Sequence, residues 1–337
     1  MSLTPQTWTQ TNSLYYDPIS INELAYINGT YVALPDSHPD FTSTFTTFFL
    51  SEDLNNWRKV IQGNGLRFEV EHVKIIQHED YLFAVGLKVA DTGNKFVSFI
   101  STNGTKWELI YESEVNPVKI LNTSYHNGQH IVCCVGFIFV SGDGKTWNVL
   151  KLPQEHSSAR VLGMAMTNDT FYCLLNSSGK SYIASTVDGT EFTVRTTPWL
   201  MESISLAGNG EQILVSARIK NKACVIYFSD DVDAYDIQSI PETPYDDNFL
   251  TVVDMKYING EWIFACVREY YNRNKLKFSI HGFIFRNQGS LSVDSTLTKD
   301  MIASRNITTV KFVNNQYIAF GKVFPNLDNC LYRIEST

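Results

Sequence analysis

An all-β fold built from seven repeats is what the sequence predicts, on three observations. Apolar runs are joined in pairs by tight turns bearing Asn or Gly. The turns recur every ~41 to 55 residues, a period typical of blade-forming repeats. A Ser-x-Asp-x-Gly-like loop ending in an aromatic residue follows most of the pairs.

The turns fall at Asn28-Gly29, Glu79-Asp80, Asn127-Gly128, Asn168-Asp169, Asn209-Gly210, Asn259-Gly260 and Asn314-Asn315. Asn-Gly and its relatives tolerate the positive φ that a two-residue hairpin demands, so each is read as a β-hairpin. The second half of a repeat joins a third strand to a fourth through Ser51, Asp53 and Trp57; Ser101, Asn103 and Trp107; Ser141, Asp143 and Trp147; and Ser185, Asp188 and Phe192. In such a loop the Asp or Asn oxygen accepts from backbone N–H groups, the Gly takes a left-handed conformation, and the aromatic residue anchors the loop. These residues are read as structural, not as catalytic carboxylates. Later copies decay: Ser229-Asp230-Asp231 keeps part of the pattern and Asn287-Gln288-Gly289 little of it.

Four strands per repeat and seven repeats predict a seven-bladed β-propeller of four-stranded antiparallel blades, forming a single domain over residues 1–337. The seventh repeat ends after its third strand, near Leu331 to Ile334. Gln6-Thr7-Trp8-Thr9-Gln10 is similar to the fourth strands around Trp57 and Trp107, so a strand within about residues 5–12 is expected to complete the blade formed by about 299–337 and close the ring.

The Ser-x-Asp-x-Gly-x-x-Trp pattern resembles the Asp-box, or BNR repeat, of sialidases, other glycoside hydrolases, non-catalytic assembly factors and many phage structural proteins. The resemblance spans nearly the whole chain. It implies blade-forming hairpins and leaves activity open, because function on such folds resides in the site. The sialidase signature itself is absent: there is no Arg-Ile-Pro near the start, and no Arg precedes the first loop, Arg58 following it.

Composition and charge narrow the function classes. Aromatic residues make up 13% of the chain, charged residues 18%, and the formal net charge is −8. An acidic chain without a basic cluster argues against a nucleic-acid partner. The apolar run Ile131 to Val140 is too short for a membrane span and Gly136 interrupts it, so no membrane insertion is expected. Residues 1–16 are polar and carry no leader pattern. Six cysteines lack Cys-x-x-Cys spacing. Five of them, Cys133, Cys134, Cys173, Cys224 and Cys266, lie in strand-like runs and Cys330 at a strand start; thiols in a reducing compartment are expected, with no metal site and no cofactor.

No Gly-x-Ser-x-Gly elbow, His-Glu-x-x-His, phosphate loop or dinucleotide fingerprint occurs. Length varies mainly in the links between second and third strands and between repeats, which defines one elaborated face. On it, Tyr270, Tyr271 and Arg273 with Tyr245, Asp246 and Asp247 in the sixth repeat, and His38 and Asp40 in the first, combine flat rings with hydrogen-bonding rims suited to a ligand. The expected protein is a non-catalytic binding or structural propeller. The phage resemblance implies a virion component, made in the host cytoplasm, that contacts a cell-surface glycan or a protein partner in a larger assembly. Two alternatives stand: a cytoplasmic scaffold or assembly factor, and a glycoside hydrolase using loop carboxylates such as Glu242, Asp246, Asp247, Asp254 and Glu269.

Overall fold

A computed structural model describes residues 9–11, 21–35, 47–61, 70–89, 93–126, 128–167, 169–187, 191–196, 203–219, 222–228, 235–239, 250–258, 260–269, 280–287, 291–293, 305–323 and 328–335. Within these the chain is all-β, with one short 3-10 turn at Gln154–His156 and no helix long and apolar enough to cross a membrane. It divides into two compact units, residues 19–161 with 189–192, and residues 1–18, 162–188 and 193–337.

The strands are, in chain order, β1 (Thr9–Thr11), β2 (Ile21–Ile27), β3 (Thr30–Pro35), β4 (Thr47–Ser51), β5 (Arg58–Ile61), β6 (Val70–Gln77), β7 (Leu82–Lys88), β8 (Lys95–Ser101) and β9 (Glu108–Glu112). They continue with β10 (Ile120–His126), β11 (Gln129–Cys134), β12 (Phe137–Ser141), β13 (Asn148–Lys151), β14 (Arg160–Met166), β15 (Phe171–Ser177), β16 (Lys180–Thr186), β17 (Thr193–Arg195), β18 (Ser203–Gly208) and β19 (Ile213–Ile219). The last are β20 (Lys222–Phe228), β21 (Tyr235–Ser239), β22 (Leu250–Ile258), β23 (Glu261–Glu269), β24 (Ile280–Asn287), β25 (Leu291–Val293), β26 (Arg305–Val313), β27 (Gln316–Val323) and β28 (Asp328–Glu335).

Consecutive strands pair into four-stranded antiparallel sheets. The first unit holds β2 to β5, β6 to β9 and β10 to β13. The second holds β14 to β17, β18 to β21, β22 to β25, and a sheet ordered β1-β28-β27-β26. There the N-terminal strand runs antiparallel to the C-terminal one, Gln10 facing Tyr332. Trp8, which the sequence reading places in that strand, lies outside the described residues.

The turns between first and second strands differ from expectation at three positions. Asn28 and Gly29 form a two-residue turn with φ of 48° and 82°. In the second, fourth and fifth sheets the turn has four residues, 78–81, 167–170 and 209–212, closed by the N–H of its first residue donating to the carbonyl of its last at 2.9, 3.0 and 3.2 Å. The physical reason is visible at Asn209, whose side-chain oxygen accepts from the Glu211 and Gln212 N–H groups and thereby favours the wider turn. A second regularity is absent from the turn pattern. Six of the first-to-second strand pairings shift register in the first strand, as between Ile21 and Glu23 or Val252 and Asp254, a bulge that locally raises twist.

Apolar side chains of neighbouring sheets interlock. Leu34, Phe48 and Leu50 pack with Leu82, Val97, Phe99 and Trp107 in the first unit, and Phe83, Leu87 and Phe96 with Val132, Cys134 and Phe139. In the second unit Leu174 and Ile183 meet Val215 and Ile226. The described cysteines Cys133, Cys134, Cys173 and Cys224 are buried thiols in this core, with burial pushing the Cys134 thiol well up. Polar contacts add to the fit: Lys74 Nζ lies 3.0 Å from Glu23 Oε1, and Ser98 Oγ donates to the Gly144 carbonyl at 2.8 Å.

Two glycines show how closely one sheet approaches the next. Gly144, in the β12–β13 loop with φ +70°, would place a Cβ 2.5 Å from Phe83 Cε2 on β7; Gly104, in the β8–β9 loop with φ +70°, would place one 2.5 Å from Val32 Cγ2 on β3. Both of these third-to-fourth loops therefore lean on the second strand of the preceding sheet. Gly144→Ala combines left-handed backbone strain with a clash and is expected to destabilise by about 2–4 kcal/mol, whereas Gly142→Ala, which meets nothing within 4 Å, stays within about 0.5 kcal/mol. Urea denaturation of the two variants checks this.

Candidate functional site

The loops between third and fourth strands repeat one hydrogen-bond pattern. In the first, Ser51 Oγ accepts from the Leu54 N–H at 2.9 Å, and Asp53 Oδ1 accepts from the N–H groups of Asn55 and Asn56 at 2.9 and 2.8 Å. In the second, Ser101 Oγ accepts from Gly104, and Asn103 Oδ1 from Thr105 and Lys106. The third repeats it with Ser141, Gly144, Asp143, Lys145 and Thr146. Below them, the indole N–H of Trp57 donates to the Leu54 carbonyl and that of Trp147 to the Gly144 carbonyl, each at 3.0 Å. Trp107 instead stacks on Phe48, with ring centres 5.2 Å apart and 12° between planes. In the fourth copy Ser185 is half-buried on β16 and Phe192 is half-buried, and Asp188 lies outside the described residues.

This bonding sets the chemistry of the carboxylates. N–H donation from Asn56 and then Asn55 holds Asp53 at about 2, and donation from Thr146 and then Lys145 holds Asp143 at about 2. Both are anions with their lone pairs committed, a poor state for proton transfer near neutral pH. Asn103 accepts the same two bonds without a charge, so an amide oxygen suffices. Asp143→Asn is accordingly expected to keep the melting temperature at pH 7, while Asp143→Ala lowers it; thermal melts of both variants test the point.

The sites expected on the long loops, Tyr270, Tyr271, Arg273, Tyr245, Asp246, Asp247, His38 and Asp40, lie outside the described residues. What the structure does assemble is a ring cluster in the first unit. Tyr81 stacks on His78 at 4.3 Å and 17°, and Tyr125 meets His78 edge-on at 4.5 Å and 79°. His130 lies 4.9 Å from His78 and 4.8 Å from Tyr125, then contacts Phe83 at 4.1 Å, with Trp147 beneath at 6.4 Å. The cluster runs from solvent to core: Tyr125 is 44% exposed, His78 and Tyr81 are half-buried, and His130 is 2% exposed.

Three strand segments place these rings. The four-residue turn 78–81 carries His78 and Tyr81, and the β10–β11 hairpin sets Tyr125 directly opposite His130. Cross-strand aromatic pairs flank other turns as well: Tyr26 and Tyr31 at 4.7 Å, and Tyr257 and Trp262 at 5.1 Å. That repetition, an aromatic residue on either side of the turn, is a sequence signal for each pair across its own turn, and carries nothing about the meeting of two turns.

Both imidazoles are held neutral. Burial, with the His78 charge adding to it and Asp143 opposing, pushes His130 down from 6.5 to about 4, and burial lowers His78. His78 Nε2 and His130 Nδ1 are buried atoms without a hydrogen-bond partner among the described residues. Burial raises the Tyr81 hydroxyl, with Tyr125 adding to it. The unfolded chain takes protons on these histidines near 6.5 and the folded chain only at lower pH, so this contribution to stability is intact above about pH 7 and falls as pH drops from about 6.5 towards 4. Chemical denaturation across that window is expected to show a decline that is shallower in His130→Phe, which keeps the ring contacts and loses the titration.

Four-stranded antiparallel sheets repeat along the described residues, and the structural neighbours of this chain are β-propellers. YCF48 bound to a D1 peptide is 14% identical, with coverage of 100% of this chain and 97% of that one and a TM-score of 0.62. An inactive variant of virginiamycin B lyase from Staphylococcus aureus, solved with quinupristin, is 9% identical over 98% and 99%, with a TM-score of 0.59. The β-propeller domain of the Trilobed protease from Pyrococcus furiosus is 8% identical over 95% and 96%, also at 0.59. At these identities the likeness defines the fold alone. No protein-family model matches the chain, and no curated protein matches it.

Proposed function

We propose that the sheets are the seven blades of one propeller, closed where β1 joins β28, and that this propeller holds a protein or peptide partner without catalysing a reaction. The observation that carries the reading is the ring cluster at the turns 78–81 and 126–129. It offers exposed and half-buried aromatic surface, the residue type that anchors protein interfaces, over a rigid buried base. The neighbouring carboxylate, Asp143, is committed to its own loop and serves there as a structural anion. A peptide-bound protein of the same fold supports the choice of ligand. The long loops that carry Tyr245, Asp246, Asp247, Tyr270, Tyr271 and Arg273, with His38 and Asp40, supply a second contact surface. A larger assembly, virion or cytoplasmic, is the setting this reading favours.

Binding of the purified chain to an array of diverse peptides, beside isolated glycans and chromogenic glycosides, tests the reading. Saturable peptide binding that weakens about tenfold in Tyr125→Ala, with an unchanged melting temperature, is the expected result for loss of one aromatic anchor. Turnover of a glycoside, or binding confined to glycans, overturns it.

A further inference from the structure

The partner-binding reading leaves open which chemical group the ring cluster takes, and three features of the turn 78–81 bear on it. The first is charge. Glu79 and Asp80 are exposed and have no ion-pair partner among the described residues, unlike Asp53 and Asp143, whose oxygens are committed to their loops. Over the first-to-second and third-to-fourth links of the β2–β13 sheets, Glu52, Asp53, Glu79, Asp80 and Asp143 stand against Lys106 and Lys145 alone. This surface is acidic.

The second feature is the arrangement of rings. Tyr81 lies flat on His78 while Tyr125 stands edge-on to it, so the rings present both a face and an exposed edge beside the two carboxylates. Ring faces attract cations, and a planar cation stacks as well. The third is hydrogen-bond demand. His130 is almost wholly buried, yet among the described residues its Nδ1 has no partner, and neither does His78 Nε2. A neutral imidazole carries one bare, accepting nitrogen, so the pair of rings has acceptor capacity to offer a donor-rich group.

The three features favour a planar, cationic group rich in donors. Lysine brings the charge without the plane, and a glycan hydroxyl brings neither. The guanidinium has all three properties: five N–H donors in a fixed fork that suits carboxylates, a face that stacks on rings, and a permanent charge. We propose that the surface formed by His78, Tyr81, Tyr125, Glu79 and Asp80 binds an arginine side chain of the protein partner. This rests on the partner-binding reading of the same surface. The neutrality of both histidines at physiological pH is consistent with it, because no imidazolium repels the incoming cation.

The test uses three pentapeptides, Gly-Gly-X-Gly-Gly with X as arginine, lysine or citrulline, titrated into the intact chain labelled with carbon-13 in histidine and tyrosine rings. Citrulline keeps the shape of arginine and removes the charge. The arginine peptide is expected to shift the ring resonances of His78, Tyr81 and Tyr125 saturably, and the citrulline peptide to bind about tenfold more weakly or worse. Tyr125→Ala and the double variant Glu79→Gln/Asp80→Asn, all at exposed or half-exposed positions, are each expected to weaken arginine binding about fivefold or more with unchanged melting temperatures. Equal binding of citrulline and arginine, or ring resonances unmoved by any of the three, overturns the proposal. In the peptide array, strong binding with no enrichment of arginine would overturn it while leaving the partner-binding reading in place; failure of the whole array would remove both.

Discussion

The first unit depends on the lean of two third-to-fourth strand loops against the sheet before each. At Gly144 and Gly104 the backbone comes so near to Phe83 and Val32 that a single added carbon would collide. Only a loop fixed in one shape can use such an approach, and the Ser and Asp or Asn oxygens fix it by accepting the N–H groups that a tight turn would otherwise leave unmet. Loop rigidity and sheet-to-sheet packing are thus one device. The first copy shows its tolerance: Leu54 takes the glycine's place at φ +64°, a conformation unfavourable for a branched side chain, and is nonetheless buried.

The same lean builds the ring cluster. Because the β12–β13 loop presses on β7, Trp147 and Phe83 meet under His130, and the turn 78–81 is brought beside the β10–β11 hairpin. Packing between two sheets therefore creates a surface that neither sheet has alone. The histidines lose water there and stay neutral, so the cluster behaves as an aromatic and acceptor surface and not as a basic one.

Much of this was legible in the sequence, and what was not has a physical explanation. Hairpins at Asn28-Gly29 and Asn314-Asn315 were readable because few residues accept positive φ. The loops around Ser51, Ser101 and Ser141 were readable because their hydrogen bonds are local, spanning two or three residues. The wider turns at 78–81 and 209–212 were not, since they turn on a choice between nearly equivalent local hydrogen bonds. The cluster of His78 with His130 was hidden for a stronger reason: its members are about fifty residues apart and meet only through the register of two different sheets, which local pattern does not encode. The clustering of charged and aromatic residues on the long loops drew attention to Tyr270 and Arg273, whereas the rings around Tyr125 were scattered among ordinary strand residues.

The pairing of β1 with β28 carries a consequence of timing. Every other strand pair joins segments adjacent in the chain, so each sheet can assemble from a contiguous stretch soon after it is synthesised. Among the described residues β1 precedes every other strand, yet the strand it pairs with, β28, follows all the others. During synthesis β1 must remain an unpaired edge until β28 has been made, and that long-range pairing then rests on a strand of three residues.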